Sequence, residues 1–288
     1  MHTANLWPDD ELSSTVKPYI SALAAPPVCA RPAQGSLPAA VEAAVWRGDQ
    51  LGSSVNAVLS SGFAALDVEL PGGGWPCGAV TEILTAQFSI LEWRLLAPAL
   101  SQVGQVGQVG RGDRGAQTIV VVAPPKAPHV PGLRHAGIDD RQLVWIKAET
   151  PAERLWSTEQ LIKSNAFGAL IAWLPQVRQE QIRRLQVLSA HCQGPVFLCR
   201  PVSVASESSA APLRVHARVG MDWELHLEIL KRKGPPLAEI LRLESMPGGL
   251  KAVITPRLRY PSRLLSRETD DVVVSAAAPA RRRLTVPH

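Results

Sequence analysis

From Val55 to Pro201 the chain alternates two kinds of apolar pattern. Short runs at 79–84, 117–123, 143–146, 168–173 and 195–199 are continuously apolar or β-branched and are bounded by Gly, Pro or Asp, which predicts strands buried on both faces. Between them lie stretches of helical spacing at 88–101, 152–165 and 178–191, with a weak one at 131–136. In the stretch 152–165 Ala152, Leu155, Trp156, Glu159 and Ile162 share a face, and in the stretch 178–191 Ile182, Leu185 and Leu188 do, with Cys192 just beyond. Strand and helix in alternation, with apolar strands, predict an α/β fold with a mostly parallel sheet flanked by helices. After Pro201 the rhythm becomes period two: 213–219, 223–231 and 237–243 alternate apolar and polar, with turn residues between them and no helix. This predicts an antiparallel C-terminal extension of the sheet.

The flanks read differently. Residues 1–36 are rich in Pro, Ala and Ser without either period and are expected to form a flexible arm, followed by a short helix on Leu37, Val41, Ala44 and Val45 that stops at Gly48. The body is expected to span 37–245 and a basic tail 246–288. The QVG triplet at 102–110 reads as a mobile connection.

Composition narrows the function classes. With 46% hydrophobic and 19% charged residues, the chain of 288 residues can bury a substantial core and is neither disordered nor membrane-like by composition. A soluble cytoplasmic protein is expected, because no run of about 18 apolar residues and no secretory signal pattern is present. The net charge of +5 resides in the tail, where Lys251, Arg257, Arg259, Arg263, Arg267, Arg281, Arg282 and Arg283 face three acids. An acidic partner is therefore expected to meet the tail, where Arg259, Arg263 and Arg267 recur at helical spacing. Cys29, Cys77, Cys192 and Cys199 lack metal-ligand spacing and read as packing residues, and no metal or cofactor is expected. His216 and His226 are placed to face one another across a hairpin. Trp93, Trp145, Trp156 and Trp223 fall on apolar faces, whereas Trp7 and Trp75 fall in loops and are candidates for a partner surface. Gly72-Gly73-Gly74 precedes its strand and reads as a turn that needs positive φ, not as a phosphate loop.

The segment SSGFAALDVELPGGGWPCGAVTEIL, Ser60 to Leu84, resembles the entry into the RecA ATPase core. More closely, VWRGDQL (45–51), LPGGGWPCGAVTEIL (70–84), GIDDRQLVWIKAETPAERLWSTEQ (137–160) and LEILKRKGPPLAEILRLE (227–244) resemble the ImuA family of bacterial translesion-synthesis proteins. The resemblance implies a RecA-like domain, and it fixes where a phosphate loop should follow the strand ending at Leu84. That stretch reads Thr85-Ala86-Gln87-Phe88-Ser89-Ile90-Leu91-Glu92, with no glycine. Leu91 stands in place of the phosphate-binding Lys and Glu92 in place of the Mg²⁺-binding Ser or Thr, so Thr85, Leu91 and Glu92 mark a degenerate phosphate loop. The strand that should end in a metal-holding acid ends in Trp173, and the catalytic Glu position after Ala123 reads Pro124-Pro125-Lys126. A RecA-like fold without ATPase chemistry is expected.

The same resemblance implies the partners: the polymerase-like ImuB protein, an error-prone replicative-type DNA polymerase complex and RecA itself, in SOS-induced mutagenesis. The run Lys231-Arg232-Lys233 is a candidate for partner or nucleic-acid binding, and because the matching hairpin in RecA filaments faces a neighbour's ATP, the resemblance implies that Lys231 and Lys233 contact a RecA filament end. Direct DNA contact is expected to be weak. The alternatives are a RecA-like DNA-dependent ATPase or recombinase, and a cell-division inhibitor of the SulA type.

Overall fold

The computed structural model describes residues 57–106 and 118–263; the arm, the helix expected before Gly48, the last part of the QVG run and most of the tail lie outside them. The main sheet comprises β3 (Val80–Thr85), β4 (Ile119–Val122), β5 (Leu143–Ile146), β6 (Ala169–Trp173), β7 (Val196–Pro201), β8 (Leu213–Val219), β9 (Glu224–Lys231) and β10 (Leu241–Glu244). A small hairpin of β1 (Val58–Leu59) and β2 (Trp75–Pro76) precedes it. Its eight strands run in the order β10-β9-β8-β3-β7-β6-β4-β5. Every pair from β8 to β5 is parallel, and β9 and β10 close the opposite edge antiparallel. The fold is α/β, with a mostly parallel sheet.

Helices cover both faces because the strands alternate two buried sets. Ile83, Val121, Ile171, Phe197 and Val215 pack with α1 (Ala64–Glu69), α2 (Leu91–Val106) and α3 (Val130–His135). Val80, Val122, Leu170 and Leu198 pack with α4 (Pro151–Ser164) and α5 (Gln179–Ser189). The ends of α4 follow from its sequence: Thr150 and Glu153 form a capping box, Pro151 opens the first turn, and Asn165 closes the helix in the left-handed region at φ 48°. At Gly72 and Gly73 φ is 86° and 84°, so the triple glycine is the turn its position suggested.

Several expectations are corrected. β8 is antiparallel only on its β9 side; on the other it lies parallel to β3, with Thr81 opposite Leu213. The chain leaving the top of β7 must therefore return to the bottom of the sheet before β8 begins, as any parallel connection must. Residues 202–212 are that crossover, and they make it with only one short 3₁₀ turn, Val202–Val204. The first part of the QVG run is helical, because Val103 continues the apolar face of Leu96 and Leu100. Trp75 is fully buried, edge-on to Phe197 at 5.5 Å between ring centroids, and offers no partner surface. Trp145, on the edge strand β5, and Trp156 are exposed instead. In α4 the buried positions are Thr158, Glu159 and Ile162, and Trp156 falls beside that stripe. The tail does not begin as free chain: α6 (Gly248–Val253) and α7 (Pro256–Arg259) follow β10, and Ser262 donates from N and Oγ to Asp222.

Candidate functional site

In an open parallel sheet, ligands collect beyond the carboxyl ends of the strands, and a strand–turn–helix junction there presents free amides suited to an anion. In this chain that junction is β3, the turn 86–90 and the start of α2. No glycine relaxes the turn, and Ser89 takes φ 74° to complete it. A helix starting at Leu91 then places residue 92 in its first turn, pointing back toward the strand ends.

Glu92 is buried there. Its Oε1 accepts from Thr85 Oγ1 at 3.2 Å and from the indole Nε1 of Trp173 at 3.3 Å. Trp173, itself buried at the end of β6, stacks at a tilt on Trp93 with centroids 6.1 Å apart. Leu91 belongs to the apolar core beneath, and Phe88 packs on the same cluster. Three of the four residues singled out as degenerate, Thr85, Glu92 and Trp173, thus form one hydrogen-bonded cluster, with the fourth, Leu91, beneath it. The position an anion would take holds a carboxyl supplied by the chain itself.

Burial dominates the electrostatics of this carboxyl. Burial raises the Glu92 pKa above the ordinary carboxylate range; the nearby amides of Glu92 and Ser89, with the Trp173 and Thr85 donors, pull the other way without cancelling it. Cys199, buried on the neighbouring strand, is pushed well above its ordinary value by burial and then by the Glu92 charge. Among the described residues, Oε2 of Glu92 and Oγ of Ser89 have no hydrogen-bond partner.

An acid whose pKa is higher in the folded than in the unfolded chain binds more protons when folded, so stability falls as pH rises from the ordinary carboxylate pKa to the raised one. Glu92→Gln keeps an acceptor for Thr85 and Trp173 and removes the charge. The variant is expected to match or exceed the native chain in urea unfolding at about pH 8, the two curves converging at about pH 4. A loss of stability confined to about pH 8 would contradict this assignment.

A second polar cluster, missed by the sequence reading, lies on the opposite face. Glu82, fully buried in β3, accepts from Arg214 Nε at 2.6 Å, Arg200 Nη1 at 3.3 Å and Ser209 Oγ at 2.8 Å. Arg214 also donates to the carbonyls of Val204, Ala205 and Glu207. These carbonyls lie in the irregular crossover, where one backbone bond, from Glu207 N to the Val204 carbonyl, is supplemented by Arg214, while Arg200 donates to the Val177 carbonyl and the Glu207 carboxylate. The signal was a lone carboxylate in an otherwise apolar strand. What it could not give was the partners, 118 and 132 residues away.

The basic candidates separate into different roles. Arg232 pins the C-terminal hairpin to α1, donating to the carbonyl and carboxylate of Glu69 at 2.6 and 2.7 Å. Lys231 donates to the Ser209 carbonyl, and Lys233 is exposed in the turn beyond β9. Arg263 lies over the Tyr260 ring at 4.6 Å. Arg259 and Arg263 do not share a continuous helix: α7 ends at Arg259 because Tyr260 precedes Pro261, which disfavours helical geometry at Tyr260. Arg267, Arg281, Arg282 and Arg283 lie outside the described residues. His216 sits opposite Glu228 and His226 opposite Arg218, so the two histidines do not face one another. Among the described residues no group of His, Cys, Asp or Glu is placed to hold a metal ion, and no helix is long and apolar enough to cross a membrane.

No protein-family model matches the chain, and comparison with curated proteins gives no match.

Proposed function

We propose that this chain is a non-catalytic, RecA-like accessory protein of the ImuA type, acting in SOS-induced translesion DNA synthesis. The observation that carries the loss of catalysis is the Thr85–Glu92–Trp173 cluster: the first turn of α2, where a RecA-type ATPase would hold its phosphates, is filled by the chain's own carboxyl and capped by an indole. The motif resemblance from Val45 to Glu244 supports the family reading. On this reading the protein scaffolds or regulates an error-prone replicative-type polymerase through ImuB, and touches RecA through the hairpin at Lys231 and Lys233. Arg232 is committed to Glu69 and is the least suited of the three to a partner.

The test is genetic. Deleting the gene should lower ultraviolet-induced mutation frequency without changing spontaneous mutation, and complementation by the native chain or by Glu92→Gln should restore it. An unchanged induced frequency in the deletion would refute the assignment, as would rescue by the native chain alone.

A further inference from the structure

The groove between the N-terminal turns of α4 and α5, beyond the end of β6, has a volume of about 800 Å³. It is separate from the Glu92 cluster, because α4 and α5 cover the other face of the sheet. Its walls include Pro151, Leu155, Leu174 and Pro175. Over them stands Trp156, 64% exposed, an apolar surface that a folded chain gains nothing by leaving in water.

The charges around the groove are not equally available. Glu159 is taken by Arg184, and Glu149 lies 3.4 Å from Lys147. Arg154 is anchored by its Nε to the Ala148 carbonyl at 3.1 Å. Arg178 is exposed and makes no ion pair with the described residues, so the charge left over at this rim is positive.

The geometry points to a docking site for a short peptide segment of a partner protein, carrying an aromatic or leucine anchor and an acidic residue a few positions away. The anchor packs between Trp156 and the Leu155–Pro175 wall, and the carboxylate pairs with Arg178. An indole and an arginine are the residue types that dominate protein recognition sites, and the volume accommodates two or three side chains. A nucleic-acid strand fits less well. Its successive phosphates would lie against Glu149 and Glu159 while meeting, among the described residues, only Arg178 and the carbonyl-anchored Arg154 outside an ion pair. This inference does not rest on the translesion reading.

The test is selection of a displayed random-peptide library on the folded chain, followed by anisotropy titration of the synthetic consensus peptide. The expected consensus pairs Trp, Phe or Leu with Asp or Glu, and affinity falls at least about tenfold in each of Trp156→Ala and Arg178→Glu, both exposed substitutions checked by thermal melting. Affinity restored by pairing Arg178→Glu with a peptide whose acid is changed to Lys would confirm the ion pair. Absence of enrichment, a consensus without an acid, binding indifferent to both substitutions, or binding of an oligothymidylate that Trp156→Ala abolishes would each overturn it.

Discussion

Replacing Glu82 by Gln should destabilise the protein by about 3–5 kcal/mol, because it removes the carboxylate that the buried Arg214 pairs with and leaves the buried Arg200 with only the more exposed Glu207 carboxylate, 3.5 Å away. Against a typical total of about 5–15 kcal/mol for a folded domain, that is a large fraction, to be read as a lower urea midpoint with unchanged slope. The origin of the loss can be separated from the worth of the cluster. A triple replacement of Glu82, Arg200 and Arg214 by Leu or Met should recover much of the stability, since buried ionic triads exchanged for apolar residues of similar volume are often no less stable. It should not recover protection of the crossover from proteolysis, because the carbonyls of Val204, Ala205 and Glu207 would have lost the Arg214 guanidinium, Val204 keeping only its backbone donor, Glu207 N. A single Glu82→Gln loss below about 1 kcal/mol would show that the cluster is not what holds residues 202–212 against the sheet.

Trp173→Ala should cost about 3–5 kcal/mol, as removal of a large buried aromatic does, and it would also strip Glu92 of its indole donor. Trp173→Phe retains most of the packing and loses only that donor, so a smaller loss of about 1 kcal/mol is expected. Trp156→Ala, on an exposed surface, should change stability by no more than about 0.5 kcal/mol. Urea unfolding of the three variants orders them, and an equal effect of Trp173→Ala and Trp156→Ala would contradict the assignment of one to the core and the other to a surface.

Those two tryptophans also show how far the sequence can be read. The strands at 80–85, 119–122, 169–173 and 196–201 lie where continuous apolar runs put them, because a strand buried on both faces has little freedom in composition. Trp156 was misplaced because helical spacing assigns a stripe only to within a residue. In α4 the stripe runs through Thr158 and Ile162, with a polar residue where an apolar one would have marked it. Trp75 was misplaced the other way: flanking Gly and Pro mark a loop locally, yet the β1–β2 hairpin turns its ring onto Phe197, 122 positions away in the numbering. The direction of β8 was hidden because a period of two reports one buried face, not whether the neighbour is parallel.

At the candidate site the individual residues were legible, and their relation was not. Motif register alone singled out Thr85, Leu91, Glu92 and Trp173 as marking a degenerate phosphate loop and a lost metal-holding acid, which describes separate absences. The structure gives Thr85, Glu92 and Trp173 a common purpose, since Oε1 of Glu92 accepts from both of the others. The distance between residues 92 and 173 along the chain kept that contact out of reach of any local pattern. The basic tail was less legible still: its charge is plain, but Pro261 divides the helical spacing that joined Arg259 to Arg263.

The most direct test of the proposal is equilibrium titration of the full chain with a fluorescent ATP analogue and Mg²⁺, followed by anisotropy. A first turn of α2 already occupied by Glu92 and covered by Trp173 predicts no saturable binding up to about 1 mM. Saturable binding with a dissociation constant of about 1–10 μM, displaced by unlabelled ATP, would contradict it.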